Sequence, residues 1–339
     1  MLTTTTTCMP ILRNDMRIAF PIIQTGTGSD HYYQLLTQGL KKRNIKSDII
    51  KIPRRHEVTP WLSGKIKKQL SEYDLIHSNT EYAYLFHTEN TPLVSTLHHD
   101  VFCENYYPFA SLPQRLYYSL ILRKNIERSI TRSKVIICPS NTTKNQARKT
   151  YPQHKEKLIT IHNGIINKNF KDSFNNKRNK KQLLFVGSAI TRKGFDILPH
   201  LMNILESERF KLICVTPQPK NIKHKNIEFR PFITQPKLEK LYQESEFFIS
   251  PTRLEGFGYA ALEAALCGCK IITNNNTAIA EILSGYNKLF TTDENTAENI
   301  AETILLHQKN TIQKQCTIKK YNLEEMTEKY LAIYNEHKH

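Results

Sequence analysis

Short apolar runs of strand length alternate with helical patterns along most of the chain. This alternation limits the fold more than any other feature. Candidate strands lie at 17–23, 47–51, 74–77, 92–97, 134–138 and 158–161, with helical patterns between them, notably at 30–43, 113–132 and 141–150. Such an order predicts a parallel sheet with helices on both faces, because each parallel strand needs a long crossover and a helix supplies it. A polar, basic stretch from Lys168 to Lys181 has linker composition. A second series of strands follows at 182–187, 211–215, 227–229, 247–250 and 270–273. At 339 residues the chain exceeds what one core usually serves. Two α/β units are therefore expected, at 16–165 and 182–322, joined by a linker at 166–181. An amphipathic helix fills the C-terminal segment 323–339.

No apolar run approaches the roughly 20 residues of a membrane span. The N-terminus, Met1 to Cys8, is polar and lacks the apolar centre of a secretory signal, so residues 1–15 read as a disordered extension. Seven cysteines, at 8, 103, 138, 214, 267, 269 and 316, are scattered, and several fall in strand-like contexts. They predict reduced, buried thiols in a cytoplasmic protein rather than a disulfide framework. Cys267-Gly268-Cys269 lacks a second ligand pair and reads as a helix-to-strand turn. The chain holds 48 Lys and Arg against 31 Asp and Glu, and residues 16–163 alone hold 22 against 11. That surplus implies an anionic partner. Without an arginine-rich arm or a nucleic-acid motif, anionic lipid fits better than nucleic acid.

Arg253-Leu254-Glu255-Gly256-Phe257-Gly258-Tyr259-Ala260-Ala261-Leu262-Glu263 follows the apolar Phe247-Phe248-Ile249. A strand runs into a glycine loop and then a helix, whose first unpaired amides and dipole favour an anion. Gly256 and Gly258 remove side chains where a ligand would approach the backbone. Glu255 and Glu263 suit hydroxyls, which carboxylates accept as hydrogen-bond donors. Together these features point to a polyol carried on a phosphate, a nucleotide sugar. The pattern resembles the signature of the retaining glycosyltransferases of family 4. The resemblance implies the GT-B fold, an α/β architecture of two Rossmann-like doubly wound domains facing a central cleft. The first domain would bind the acceptor and the second the nucleotide sugar, with the last helix crossing back to the first. It also implies that Glu255 contacts the donor sugar and Glu263 the ribose, with Gly256, Phe257 and Gly258 in the donor loop.

Further segments fall where a cleft at the carboxyl ends of strands would find them. The first strand ends in Gln24-Thr25-Gly26-Thr27-Gly28-Ser29-Asp30, and the family's glycine loop here implies donor contacts at Gly26 and Gly28. Ser95-Thr96-Leu97-His98-His99 matches the family's Thr-x-His on Thr96 and His98, which makes His98 the catalytic histidine in preference to His99. Gly187-Ser188 through Arg192-Lys193-Gly194 resembles the diphosphate-binding segment. The resemblance gives Lys193 the catalytic lysine position, and Arg192 substitutes for the arginine that many members carry where this chain has Ser188. Two cations suit a leaving diphosphate whose charge grows at the transition state. Glu281 matches a family glutamate over a short stretch and suits a solvated helix face equally well.

Residues 106–132 mix aromatic and aliphatic side chains with Arg115, Arg123, Lys124, Arg128 and Arg132. This composition suits an interfacial helix on an anionic membrane, and also a core helix with a basic outer face. The chain contains no Asp-x-Asp pair, so no metal or other cofactor is expected. The resemblance then implies transfer with retained configuration from a UDP- or GDP-linked sugar to a lipid-linked or lipopolysaccharide-type acceptor. The enzyme would be cytoplasmic, peripheral on the inner face of the membrane. A nucleotide-sugar 2-epimerase and a non-catalytic polyanion-binding protein are the alternatives.

Overall fold

The computed structural model describes residues 16–24, 28–57, 64–166, 178–231, 233–309 and 321–338. The extension at 1–15, the loop residue Gly26 and most of the expected linker lie outside the described residues. The first sheet holds β1 (Arg17–Ile23), β2 (Lys46–Ile52), β3 (Leu75–Asn79), β4 (Leu93–Thr96), β5 (Val135–Cys138) and β6 (Leu158–Thr160). Their order is β2-β1-β3-β4-β5-β6, and every pairing is parallel. The second holds β7 (Asn179–Val186), β8 (Lys211–Val215), β9 (Ile227–Phe229), β10 (Ser245–Ser250), β11 (Lys270–Asn274) and β12 (Leu289–Thr292). It is also parallel, in the order β12-β11-β10-β7-β8-β9. Both are doubly wound, and β3, β4 and β5 are buried along their whole length, as strands covered on both faces must be.

Helices α1 (Gly28–Lys42), α2 (Gly64–Leu70), α3 (Leu112–Tyr117), α4 (Arg123–Arg132) and α5 (Asn141–Thr150) accompany the first sheet. The second carries α6 (Leu198–Ile204), α7 (Gln235–Glu244), α8 (Tyr259–Leu266), α9 (Ala278–Ile282) and α10 (Ala297–His307). The helix expected over 113–132 is divided, because a π turn at Tyr118–Leu122 separates α3 from α4. The linker expected at 166–181 extends too far, since β7 already begins at Asn179. The five described cysteines, Cys103, Cys138, Cys214, Cys267 and Cys269, are buried and free.

The last helix, α11 (Leu323–His337), packs on the first unit. Met326, Tyr330, Leu331 and Tyr334 share one apolar cluster with Ile18, Phe20, Tyr32 and Leu36. Gly39 on α1 allows the close approach, since a Cβ there would meet Thr327 Oγ1 at 2.0 Å. Polar atoms in this dry layer pair with one another. Tyr32 Oη donates to Tyr330 Oη at 2.6 Å, and His77 bridges Tyr334 Oη (2.6 Å) to Thr96 Oγ1 (2.7 Å). Burial, with the neighbouring His98 adding to it, drives the His77 pKa down to about 3, so the ring is neutral. Thr96, matched in sequence to the cleft motif, thus points into the core.

Tyr334→Phe strands one nitrogen of His77 in this interior. It should cost about 1–3 kcal/mol in urea unfolding at pH 7, and an unchanged midpoint would show that α11 is not held through this bond.

Candidate active site in the interdomain cleft

The carboxyl ends of the two sheets face one another across a cleft of about 1190 Å³. Gly28, Ser29, Asn79, His98 and His99 line it from the first unit, and Ser188, Arg192, Lys193, Thr216, Glu255 and Gly258 from the second.

The cationic loop and the acidic loop of the second unit are built against each other. Gly194 adopts φ 68°, and a Cβ on it would lie 1.7 Å from the Pro251 carbonyl oxygen, so only glycine lets the two segments touch there. Arg253 N–H donates to the Arg192 carbonyl at 2.9 Å, and Thr252 Oγ1 donates to the same oxygen at 3.1 Å. The Arg253 guanidinium forks onto both oxygens of Asp196 at 2.8 Å and also donates to the Thr191 carbonyl. Arg192 Nη1 in turn donates to the Leu254 carbonyl at 3.0 Å. Held in this way, Lys193 Nζ pairs with Glu255 Oε2. Burial alone would raise the Glu255 carboxyl. The charges of Lys193 and Arg192 outweigh burial and hold it below its usual range.

The two glycines of the acidic loop line the cleft and also admit close packing within the protein. A Cβ on Gly256 would lie 1.8 Å from the His98 carbonyl oxygen, so this glycine seats the second unit's loop on the first unit's strand end. Gly258 caps α8 at φ 88°, where a Cβ would meet Ile279 Cγ1 at 2.5 Å. Phe257 turns its ring into the core against Tyr259 and Tyr321, leaving its backbone at the cleft. Glu263, in the second turn of α8, does not line the cleft; it accepts a hydrogen bond from Tyr242 Oη at 3.0 Å, and burial raises its carboxyl to about 7.

His98 contacts Asn79 Oδ1 through Nε2 at 2.9 Å. That oxygen also accepts from Tyr33 Oη at 2.8 Å, while Asn79 Nδ2 donates to Tyr82 Oη. The amide orientation requires His98 Nε2 to carry the hydrogen and leaves Nδ1 as the ring's acceptor. Burial lowers His98 to about 4. His99 also lines the cleft, and its pKa is likewise lowered, by burial and then by the charges of Arg192, His98 and Lys193. Asn79 and Arg253 are the residues that motif reading missed. Asn79 was accessible through its place at the carboxyl end of β3, whereas Arg253 gave no signal beyond adjoining Glu255.

Glu281 is not on a solvated face. From α9 it reaches across to the N-terminus of α5, accepting from Asn141 N–H (2.8 Å), Thr142 N–H (2.6 Å) and Thr142 Oγ1 (2.7 Å), with His162 Nε2 at 3.1 Å. Its burial would raise the carboxyl, but the bonds from His162, Thr142 and Asn141 together bring it down to about 2.

Residues 180–310 match the family model described as "Glycosyl transferases group 1", and residues 24–167 match "Glycosyltransferase Family 4". The chain belongs to the family 4 glycosyltransferases. The glycosyltransferase MJ1178 of Methanocaldococcus jannaschii is 29% identical over 201 residues, 55% of either chain. The O-antigen chain mannosyltransferase RfbU of Salmonella typhimurium is 25% identical over 219 residues, 58% of this chain and 59% of its own. The chain spans about half the length of the curated relatives it matches. Among solved structures, Anabaena HepE in complex with UDP and glucose is similar with a TM-score of 0.68 and 17% identity, over 94% of this chain and 99% of that one. This likeness shows a GT-B fold of two Rossmann-like units.

The Glu281 contact should depend on pH in a defined direction. Its folded pKa lies below the ordinary 4.5, so its stabilisation is complete above about pH 4.5 and is lost as pH falls toward 2. Glu281→Gln should therefore lower the melting temperature at pH 7 and flatten its acid dependence between pH 4.5 and 2. Parallel melting curves for the two proteins across that window would refute the interdomain role.

Proposed function

We propose that this glycosyltransferase moves a sugar, with retained configuration, from a UDP- or GDP-linked donor to a hydroxyl of a lipid-linked or lipopolysaccharide-type glycan, without a metal. The observation that carries this reading is the placement of Arg192, Lys193 and Glu255 together at the cleft beside the first turn of α8. Arg192 and Lys193 take up the charge of the diphosphate as the bond to the anomeric carbon breaks. Glu255, released from Lys193, accepts a sugar hydroxyl, and Glu263 would reach the ribose only after leaving Tyr242 and turning into the cleft. Gly28 opens α1 at the opposite wall with free space around it, which suits a donor approaching helix amides. Neutral His98 presents Nδ1 as an acceptor for a sugar hydroxyl. The acceptor oxygen bonds to the anomeric carbon on the face the diphosphate leaves, and its proton passes to the departing phosphate oxygen. The UDP and glucose held by HepE support a nucleotide-sugar donor, and the O-antigen role named for RfbU supports the acceptor class.

The enzyme is further proposed to work in the cytoplasm, docked on the inner face of an anionic membrane. No helix among the described residues is long and apolar enough to cross one. Phe109, Leu112, Leu116, Leu120 and Ile121 are exposed on consecutive turns around α3, with Lys124 and Arg128 exposed just beyond. Apolar side chains beside cations match a bilayer's acyl boundary and headgroups. Arg123 does not join them, because its guanidinium stacks on Phe102 at 4.4 Å.

Incubation with a panel of nucleotide sugars in EDTA should yield a product whose anomeric configuration matches the donor. Lys193→Ala should weaken nucleoside diphosphate far more than free nucleoside, since only the former carries the phosphate charge. An inverted product, a strict need for added metal, or equal loss for both ligands would contradict the assignment.

The membrane docking is tested by sedimentation with phosphatidylglycerol vesicles. Changing Leu112, Leu116 and Leu120 together to Ser should release most of the bound protein, and unaltered sedimentation would rule this face out.

A further inference from the structure

A second concentration of positive charge lies on the outer flank of the first unit, apart from Arg192 and Lys193. Lys67 on α2 and Arg128 and Arg132 on α4 converge on a depression of about 310 Å³ whose floor is Tyr84 and Leu85. Tyr84 and Leu85 also line the main cleft, so the depression opens beside it. The floor is fixed in place. Tyr84 N–H donates to Ser129 Oγ at 2.9 Å, and Arg132 Nη1 donates to the Tyr84 carbonyl at 3.3 Å. The Arg128 guanidinium lies 5.8 Å from the Tyr84 ring centre. Among the described residues no carboxylate pairs with Lys67, Arg128 or Arg132. Glu127 lines a neighbouring depression that shares Arg128 and Arg132 but forms no ion pair with either among the described residues. The imidazole of His87, close by, is held below its ordinary pKa by burial and then by the charges of Arg132 and Lys67.

Three cations gathered on one floor without a carboxylate ion pair repel one another, and the Tyr84 carbonyl and ring meet only part of their charge. A dianionic group offsets it, since two guanidinium forks and an ammonium offer more donors than a single carboxylate can accept. We infer that Lys67, Arg128 and Arg132 form a phosphate-binding subsite on the acceptor side of the cleft. The substrate class is then a phosphorylated acceptor, whose phosphate rests on the flank while its hydroxyl reaches past Tyr84 and Leu85 to the donor. This deepens the proposed function and rests on its assignment of the first unit to the acceptor. The phosphate can be carried by a lipid headgroup or by a soluble glycan, and the chemistry recognised is the same.

The probe is inorganic pyrophosphate, titrated calorimetrically into protein presaturated with UDP so that the Arg192–Lys193 end is occupied. Wild type should bind one further pyrophosphate, and Lys67→Gln with Arg128→Gln should weaken it about tenfold or more. Arg132 is left in place because it holds Tyr84, and Arg128→Lys, which keeps the charge, should weaken binding less than Arg128→Gln. A second arm compares sedimentation with phosphatidylcholine vesicles with and without phosphatidylglycerol. Loss in both arms supports the subsite and assigns it to headgroup phosphate. Loss in the pyrophosphate arm alone supports it and assigns it to a soluble phosphorylated glycan. Absence of a further pyrophosphate in wild type, or equal binding by the double variant, overturns it. If neither UDP nor GDP binds, the donor reading falls by itself. The same pyrophosphate comparison, made in a Lys193→Ala background without UDP, then still decides the subsite.

Discussion

Arg253 forks onto Asp196 and the Thr191 carbonyl, and the rest of the donor side follows from that contact. A guanidinium 9% exposed must keep its donors satisfied. Here they are satisfied by the segment just before the first helix of the second unit. Because Arg253 lies two residues before Glu255, and Asp196 three after Lys193, one ion pair between a buried guanidinium and an exposed carboxylate sets the separation of the cation and the carboxylate. The Gly194–Pro251 contact closes the remaining gap to van der Waals distance. Two loops from different strand ends thus behave as one rigid piece, which is what a site holding a diphosphate and a sugar in fixed relation requires.

That piece is also tied to the first unit at several points. Gly256 rests on the His98 carbonyl, Glu281 caps α5, and the Phe109 ring stacks on the Arg253 guanidinium at 4.3 Å. These contacts are mostly polar, but Leu254 also joins an apolar cluster of the first unit with Leu97 and Ile136, while α11 packs on α1 in a larger apolar layer. The α11 packing fixes the chain's end to the first unit, so opening would turn the second unit about segments that enter and leave it near Ile165 and Tyr321, which already bond to each other.

Both sheets were legible in the sequence because each strand carries its own apolar run. The exceptions show what such reading depends on. β12, Leu289–Thr292, is a short edge strand with mostly half-exposed residues, so it shows no buried run. α2 is seven residues long with one buried side chain, too little for a periodic pattern. At the site, residue types at strand ends were recognisable, and His98, Arg192, Lys193 and Glu255 all line the cleft. What each neighbour does was not. Glu281 takes its partners from a helix some 140 positions earlier, and Tyr32 meets Tyr330 across 298. Such contacts are products of tertiary packing and leave no local signal. The glycines also admit close approach within the protein itself, of the His98 backbone to Gly256 and of the Ile279 side chain to Gly258.

The electrostatics of the cleft follow from the same packing. His77, His98 and His99 are all held neutral by burial first, and at His99 the charges of Arg192 and Lys193 add to it. If His99 were protonated it would add a third charge beside Arg192 and Lys193, and the field of that pair opposes this. The imidazoles therefore contribute hydrogen bonds while the cations contribute charge, and the two roles do not exchange within the physiological range. Arg192 and Lys193, on the loop that Arg253 holds in place, are adjacent cations in the cleft wall, which Arg54 and Lys220 also line. A leaving group that gains negative charge is then drawn to one end of the cleft, away from the neutral His98 face where a sugar would lie.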